Sequence, residues 1–147
     1  MQGDLFPEDL KSIYRNERCF DLSDVPIGEF KPKNIYSKWL LDRCDHLRSL
    51  PKDKYFIFKG EGLPFVLNKG TGRKLTPSLN RDRYPCVSIN SRIIHIHSLV
   101  GIFFIENIKP TITNVIDHLD QDRYNYRIEN LQWVSHSDNV RRKTNET

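Results

Sequence analysis

The sequence predicts an α+β fold, and three observations carry that reading. Short strand-like runs, KYFIFKG, LPFVLN, YPCVSI and RIIHIH, follow one another through the middle of the chain between turn-forming residues. SLVGIFFI is apolar at nearly every position, which suits a short buried helix. From Asn114 onward the order reads strand, polar loop, strand, helix. At 147 residues, 37 % of them hydrophobic, the chain can bury a core without disulfides, as one compact domain or two small ones.

The elements are expected in this order. Residues 1–30 read as an acidic N-terminal extension, where Pro7 can open a helix with Leu10, Ile13 and Tyr14 as its apolar face. Residues 34–50 allow two readings. Ile35, Trp39 and Leu47 have helical spacing, whereas WLLDRCDHLRSL resembles a segment of short DNA-binding modules, which implies a small β element. Trp39, Leu41 and Leu47 are read as core residues there. Lys54–Gly60 and Leu63–Asn68 are strands joined at Gly60-Glu61-Gly62, and NKGTGRKLTPS is a loop without a P-loop arrangement. YPCVSI and RIIHIH form a hairpin across Asn90-Ser91. The following buried helix is expected to be capped by His97 or Ser98. NVIDHL is a strand, DQDRYNYRIE a crossing loop, and NLQWV the returning strand. Ser135 then caps a last helix that carries Asn139 and ends in Arg141-Arg142-Lys143.

Charge is unevenly placed. Residues 1–30 hold seven acids and three bases, and residues 31–60 hold eight bases and three acids. Lys69, Arg73, Lys74, Arg81, Arg83 and Arg92 then stand against Asp82 alone. An acidic leader followed by two basic blocks suggests a polyanion-binding face, with a solvated lysine-rich surface as the alternative. Residues 31–92 are therefore assigned as a basic, β-rich, DNA-contacting segment. Cys19, Cys44 and Cys86 are odd in number and widely spaced, which indicates reduced thiols and no disulfide framework. MQGDLFPEDLKSIY lacks the apolar stretch of a secretory leader. An intracellular, non-secreted protein of cytoplasm or nucleus is expected.

The chemistry concentrates in IDHLDQDRYNYRIENLQWVSHSDNV, residues 116–140. Asp117-His118 sets a carboxylate beside an imidazole. Asn130 follows twelve residues after the histidine and Asn139 twenty-one after it. A histidine base next to one hard cation is an economical means of hydrolysing a phosphodiester. Oxygen donors from Asp117 and Asn139 suit one Mg²⁺ or Mn²⁺ ion. Neighbouring strand residues face opposite ways, so the strand must end at this pair or bulge there for both to act. An EF-hand reading of HLDQDRYNYRIE fails at His118 and Arg123, where Asp and Gly are required. A zinc site from Cys86, His95, His97 and His118 lacks suitable ligand spacing.

The pattern resembles the HNH nucleases, most closely the HNH homing endonucleases of phages and introns. Asp117, His118, Asp120, Asn125, Arg127, Glu129, Asn130, Leu131, Trp133, Val134, Asp138 and Asn139 fall in register with their signature. RIIHIHSLVGIFF is similar to the segment that precedes the site in that family. The resemblance implies a ββα-metal unit over residues 93–147. It implies His118 as the catalytic base, Asp117 and Asn139 as metal ligands, and Asn130 as a structural residue that holds the crossing loop.

It also implies metal-dependent cleavage of double-stranded DNA, site-selective and leaving 5′-phosphate and 3′-hydroxyl ends. Phage-, virus- or intron-encoded origin would fit. Arg73, Lys74, Arg81, Arg83, Arg92, Arg141, Arg142 and Lys143 are the expected DNA contacts. With one candidate site and no dimerisation signature, a monomer that nicks one strand is expected. Three positions depart from the family pattern. Gln121 stands in place of Gly, Tyr126 in place of a second Asn, and Ser98 in place of Arg. The first two leave open an alternative, a DNA-binding protein with an inactive site. A zinc-stabilised RNA- or protein-binding module is a third and more distant reading.

Overall fold

The computed structural model describes residues 18–145, so the helix expected after Pro7 lies outside the described residues. Mixed α and β elements are present, as the sequence predicts. Strand β1 (Cys19–Asp21) is followed by helix α1 (Ile35–Arg48). Strands β2 (Tyr55–Phe58), β3 (Phe65–Asn68) and β4 (Arg73–Lys74) join β1 in an antiparallel sheet ordered β1-β2-β3-β4. A second antiparallel sheet holds β5 (Ser78–Leu79), β6 (Pro85–Ile89) and β7 (Arg92–His95). Helix α2 (Ile96–Phe104) follows directly. Strand β8 (Val115–His118) then pairs with β9 (Leu131–Val134) across the crossing loop, and α3 (His136–Asn145) closes the described chain.

The ambiguous stretch is a helix. Asn34 Oδ1 accepts the backbone N–H of Tyr36 and Ser37, and Ser37 Oγ accepts that of Asn34. This reciprocal cap uses Ser37 where Glu or Gln is usual. The buried face is Ser37, Leu40, Cys44 and Leu47. Of the residues expected in the core, Leu47 is buried, whereas Trp39 is 40 % exposed with the Arg43 guanidinium 3.1 Å above its ring. The segment assigned as β-rich thus opens with fourteen helical residues.

Both expected hairpins form. Asn90 and Ser91 take φ of 51° and 68°, the left-handed pair that a tight two-residue turn requires. Two expectations need correcting. Helix α2 begins at Ile96, not after His97, and its N-cap is His95 with no side-chain cap. The cause is that β7 runs into the helix without a turn, and the His95 ring is committed to Asp82 at 3.0 Å. The boundary placed between residues 92 and 93 falls inside β7. Residues 18–30 are likewise part of the body, since β1 pairs with β2 and Leu22 and Ile27 lie in the core.

Every residue of α2 is buried, and it packs against β2, β6, β7, β8 and β9. Gly101 makes the closest approach possible. A Cβ there would meet the side chain of Ile116 on β8 and lie 3.2 Å from Trp133 Cζ2 on β9. Trp133 Nε1 donates to Gly101 O at 3.2 Å and to Ile105 O at 3.1 Å, which ties the strand pair to the last turn of the helix. Gly101→Val is expected to destabilise the protein by about 2 kcal/mol or more through overpacking. A urea unfolding midpoint equal to that of the native protein would show that the helix does not sit this close.

Candidate active site

The site is built on the end of β8. Asp117 lies opposite Gln132 in the strand register, and His118 lies opposite Leu131. The strand stops at His118, and Asp117 and His118 are 2 % and 6 % exposed. The two side chains leave in different directions, as alternation requires. Asp117 turns toward β9 and α3, where its Oδ2 accepts from Gln132 Nε2 at 3.1 Å and pairs with Arg142 Nη1 at 3.1 Å. His118 turns toward α2 and packs edge-on against His97, with ring centroids 4.9 Å apart.

Helix α3 starts as the sequence predicts, with Asp138 N–H donating to Ser135 Oγ at 3.1 Å. Asn139 and Arg142 are three residues apart and so share one helix face. Since Arg142 reaches Asp117, that face is turned toward β8. The Oδ1 atom of Asn139 is buried and has no hydrogen-bond partner among the described residues.

The crossing loop is organised by Asp120 and Asn130. Asn130 Oδ1 accepts from Asp120 N–H, and its Nδ2 donates to Asp120 Oδ1 and to Asn125 O. Asn125 Nδ2 donates to the other Asp120 oxygen at 2.8 Å. These bonds, led by that of Asn125 and then the Asp122 backbone N–H, hold the Asp120 carboxyl below the usual carboxylate range. Gln121 adopts φ of 64°, the left-handed region that favours the glycine it replaces. Tyr126 is 8 % exposed and joins the core.

Sequence reasoning missed the ring cluster behind His118. Tyr84 lies 5.0 Å from His97, 5.4 Å from His95 and 5.7 Å from His118, and the His95 and His97 rings stack at 5.1 Å. His97 belongs to the helix, not to a strand face shared with His95. Among the described residues, no group of three or more His, Cys, Asp or Glu could hold a metal ion. Arg123 secures the cluster from the crossing loop: it lies over Tyr84 and donates to Asp82 O at 2.8 Å.

The basic residues divide. Arg73 and Lys74 are exposed on edge strand β4, and Arg81 and Arg83 are exposed in the turn between β5 and β6. That turn is bound to the crossing loop through Asp82. Arg141 pairs with Asp138 at 3.1 Å. Arg142 is turned inward, to Asp117 and to Leu119 O, rather than out to solvent. Lys143 follows in α3. Arg92 is half-buried and close enough to repel Arg43, whose pKa is lowered to about 10 by burial first and by Arg92 second.

Burial also holds His97 well below, and His95 below, the ordinary value for imidazole. The unfolded chain takes up these protons below pH about 6.5, whereas the folded chain resists them. Their contribution to stability is therefore present above that pH and lost as pH falls through it. The unfolding free energy from urea titration is expected to drop between pH 7 and pH 5, by up to about 1.4 kcal/mol per pH unit for His97. His97→Phe should flatten the profile. An unchanged slope in that variant would place the acid sensitivity elsewhere.

Residues 113–141 match the HNH endonuclease family model. Two proteins of Acanthamoeba polyphaga mimivirus, both described as uncharacterized HNH endonucleases, are similar to the chain. L245 is 33 % identical over 89 % of this chain and 49 % of its own length. L247 is 36 % identical over 51 % of this chain and 20 % of its own. The chain thus spans about half of one relative and a fifth of the other. A solved structure, of DNA binding and cleavage by the HNH homing endonuclease I-HmuI, shares the fold with a TM-score of 0.56 at 23 % identity. It covers 65 % of this chain and 54 % of that one.

Proposed function

We propose that this chain, which matches the HNH endonuclease family model over residues 113–141, is a metal-dependent nuclease that nicks double-stranded DNA. The observation that carries the reading is the end of β8, where Asp117 and His118 emerge between a loop fixed by Asn130 and the face of α3 that bears Asn139. His118 takes the proton from the attacking water. Its ring is held by packing against His97 and Tyr84, so it offers a fixed nitrogen rather than a swinging one. Gln132 and Arg142 orient the Asp117 carboxylate.

Asp117 and Asn139 fit one Mg²⁺ or Mn²⁺ ion, because the donors are a carboxylate and the buried, unpartnered amide oxygen of Asn139. Such an ion, when bound, supplies positive charge for the phosphorane oxygens and the leaving 3′ oxygen. Products with 5′-phosphate and 3′-hydroxyl ends belong to the same proposal, as do site-selective cutting of the homing type, a monomeric enzyme and an intracellular place of action. Among the described residues, no helix is long and apolar enough to cross a membrane. Gln121 and Tyr126 are both accommodated, one in a left-handed turn and the other in the core, which favours an active site over an inactive one.

We assign DNA positioning to Arg73, Lys74, Arg81 and Arg83, which are exposed. Arg92 and the basic end of α3 are accessory, since Arg141 and Arg142 already have acidic partners. Phosphate contacts of this kind set affinity and register but carry no base identity.

Supercoiled plasmid incubated with Mg²⁺ or Mn²⁺ should become open circle before linear product appears, and a chelator should stop it. His118→Ala should lower the rate by about 10²–10⁴ while leaving DNA binding intact. Cutting within a few-fold of the native rate would remove His118 as the base. Linear product arising as fast as open circle, with second-order dependence on protein, would overturn the monomeric nickase.

Replacing Arg73, Lys74, Arg81 and Arg83 with Ala should weaken binding to all duplex sequences alike. The slope of log affinity against log salt should fall by about 0.9 for each lost phosphate contact. An unaltered slope would place the DNA on another surface.

A further inference from the structure

A cleft of about 490 Å³ opens between α1 and the β8–β9 pair, a size within the roughly 300–1,000 Å³ range of small-molecule sites. The rings of Tyr36, Trp39, Tyr84, Trp133 and His136 line it beside aliphatic side chains, and Asn139, the candidate metal ligand, lines it too. One end is closed by Tyr36 stacked on His136 at 4.0 Å. Its inner lining is polar in an unusual way. His97, Ser98 and Asn114 are 8 %, 2 % and 3 % exposed, and His97 Nδ1, Ser98 Oγ and Asn114 Oδ1 are each buried with no hydrogen-bond partner among the described residues. Buried polar atoms are normally paired, so a group of them in one concavity marks a place where something else brings the partners.

We propose that this cleft receives one unstacked nucleobase of the strand being cut, and that it favours a base with an exocyclic amine. The proposal rests on the nuclease reading above and adds a base-reading site to it. A flat ligand suits aromatic walls, which hold bases by stacking whatever their sequence. A polar edge suits the inner lining. The orientation of Asn114 is fixed, because its Nδ2 donates to Thr111 O at 2.9 Å; the remaining oxygen can only accept. Adenine, cytosine and guanine can offer it an exocyclic amine, whereas thymine offers only its ring N3–H, flanked by two carbonyl oxygens that the Asn114 oxygen repels. Ser98 and His97 can each donate or accept and so complete the edge.

The position fits as well. Tyr84 and His97 line the cleft and also touch the His118 ring, so the recess opens beside the reaction centre. Arg43 stands at Trp39 with its Nε buried and lacking an acceptor among the described residues, next to Arg92. That charge can meet the backbone phosphate of the nucleotide whose base enters. Extruding a base is least costly from single strands, which makes them the direct probe.

Trp39 and Trp133 are the chain's two tryptophans, and both line the cleft, so intrinsic fluorescence reports its occupancy. Short oligodeoxycytidine and oligodeoxyadenosine are expected to quench tryptophan emission saturably. Oligothymidine should bind the cleft about five- to tenfold more weakly, the effect of one unmade hydrogen bond. An abasic oligomer of equal length should bind, as read by anisotropy of a terminal label, without quenching. Asn114→Ala, which removes the accepting oxygen, should abolish the preference over thymidine while quenching by deoxycytidine oligomers persists, which loss of a merely structural asparagine would not do. Equal quenching by the abasic backbone overturns the proposal. So does the absence of quenching by every oligomer in a preparation that nicks plasmid, which leaves the nuclease reading standing. Base-dependent quenching in a preparation that fails to nick with Mg²⁺ or Mn²⁺ has the opposite meaning: the cleft reads bases and the nuclease reading falls.

Discussion

Trp133 gives its single N–H to two carbonyls of one helix, Gly101 O and Ile105 O, and this shared bond sets the distance between the buried helix and the strand pair that carries the site. No side chain at Gly101 separates the two, so Ile116 and Trp133 rest on the helix itself. The rest of the site inherits its placement from that contact. The N-terminal end of α2 brings His97 against His118, and the same strand pair carries Asp117 to the face of α3. A helix apolar over its whole length is costly to leave exposed, and three small sheets solve that by packing on it from several sides. The two-stranded β8–β9 pair, which carries the site, has too few strands to stand alone.

The electrostatics of the site follow from burial. Asp117 is almost wholly removed from water, a position a carboxylate occupies only when charge and hydrogen bonds compensate. Arg142 and Gln132 supply both. On the other side of the strand the surroundings are rings, and the histidines there are disfavoured as cations by their own burial. One strand end therefore separates a charged environment from a nearly uncharged one. The alternation of side chains in a strand, which looked like an obstacle to Asp117 and His118 acting together, is what divides the two environments.

Much of this was legible in the residues. Turn chemistry placed the hairpin at Asn90-Ser91, and apolar density announced α2. The resemblance to the HNH nucleases pointed to Asn130 in the loop where it makes its hydrogen bonds. Residues 34–50 were ambiguous because their apolar residues do not mark the inner face. Ile35 and Trp39 look outward, while small Ser37 and Cys44 look in. The signal that decides is Asn34 with Ser37, a cap in which serine stands in for the usual acid. Tyr84 escaped notice, and Arg142 was assigned to DNA, because their roles depend on tertiary neighbours, not on local pattern. Tyr84 meets three histidines from three elements, and Arg142, expected to contact DNA, has a buried acid as its partner. A cross-strand register for β8 and β9 would have paired Gln132 with Asp117 in advance.

The stack of Tyr36 on His136 joins residues one hundred positions apart. During synthesis, α1 leaves the ribosome long before its aromatic partner exists. The carboxylate of Asp117 likewise waits for Arg142, and the histidine cluster waits for β8. Contacts so distant in sequence form late, after local hairpins and helices have collapsed. A growing chain thus holds its parts in an unfinished arrangement until nearly all the described residues have been made.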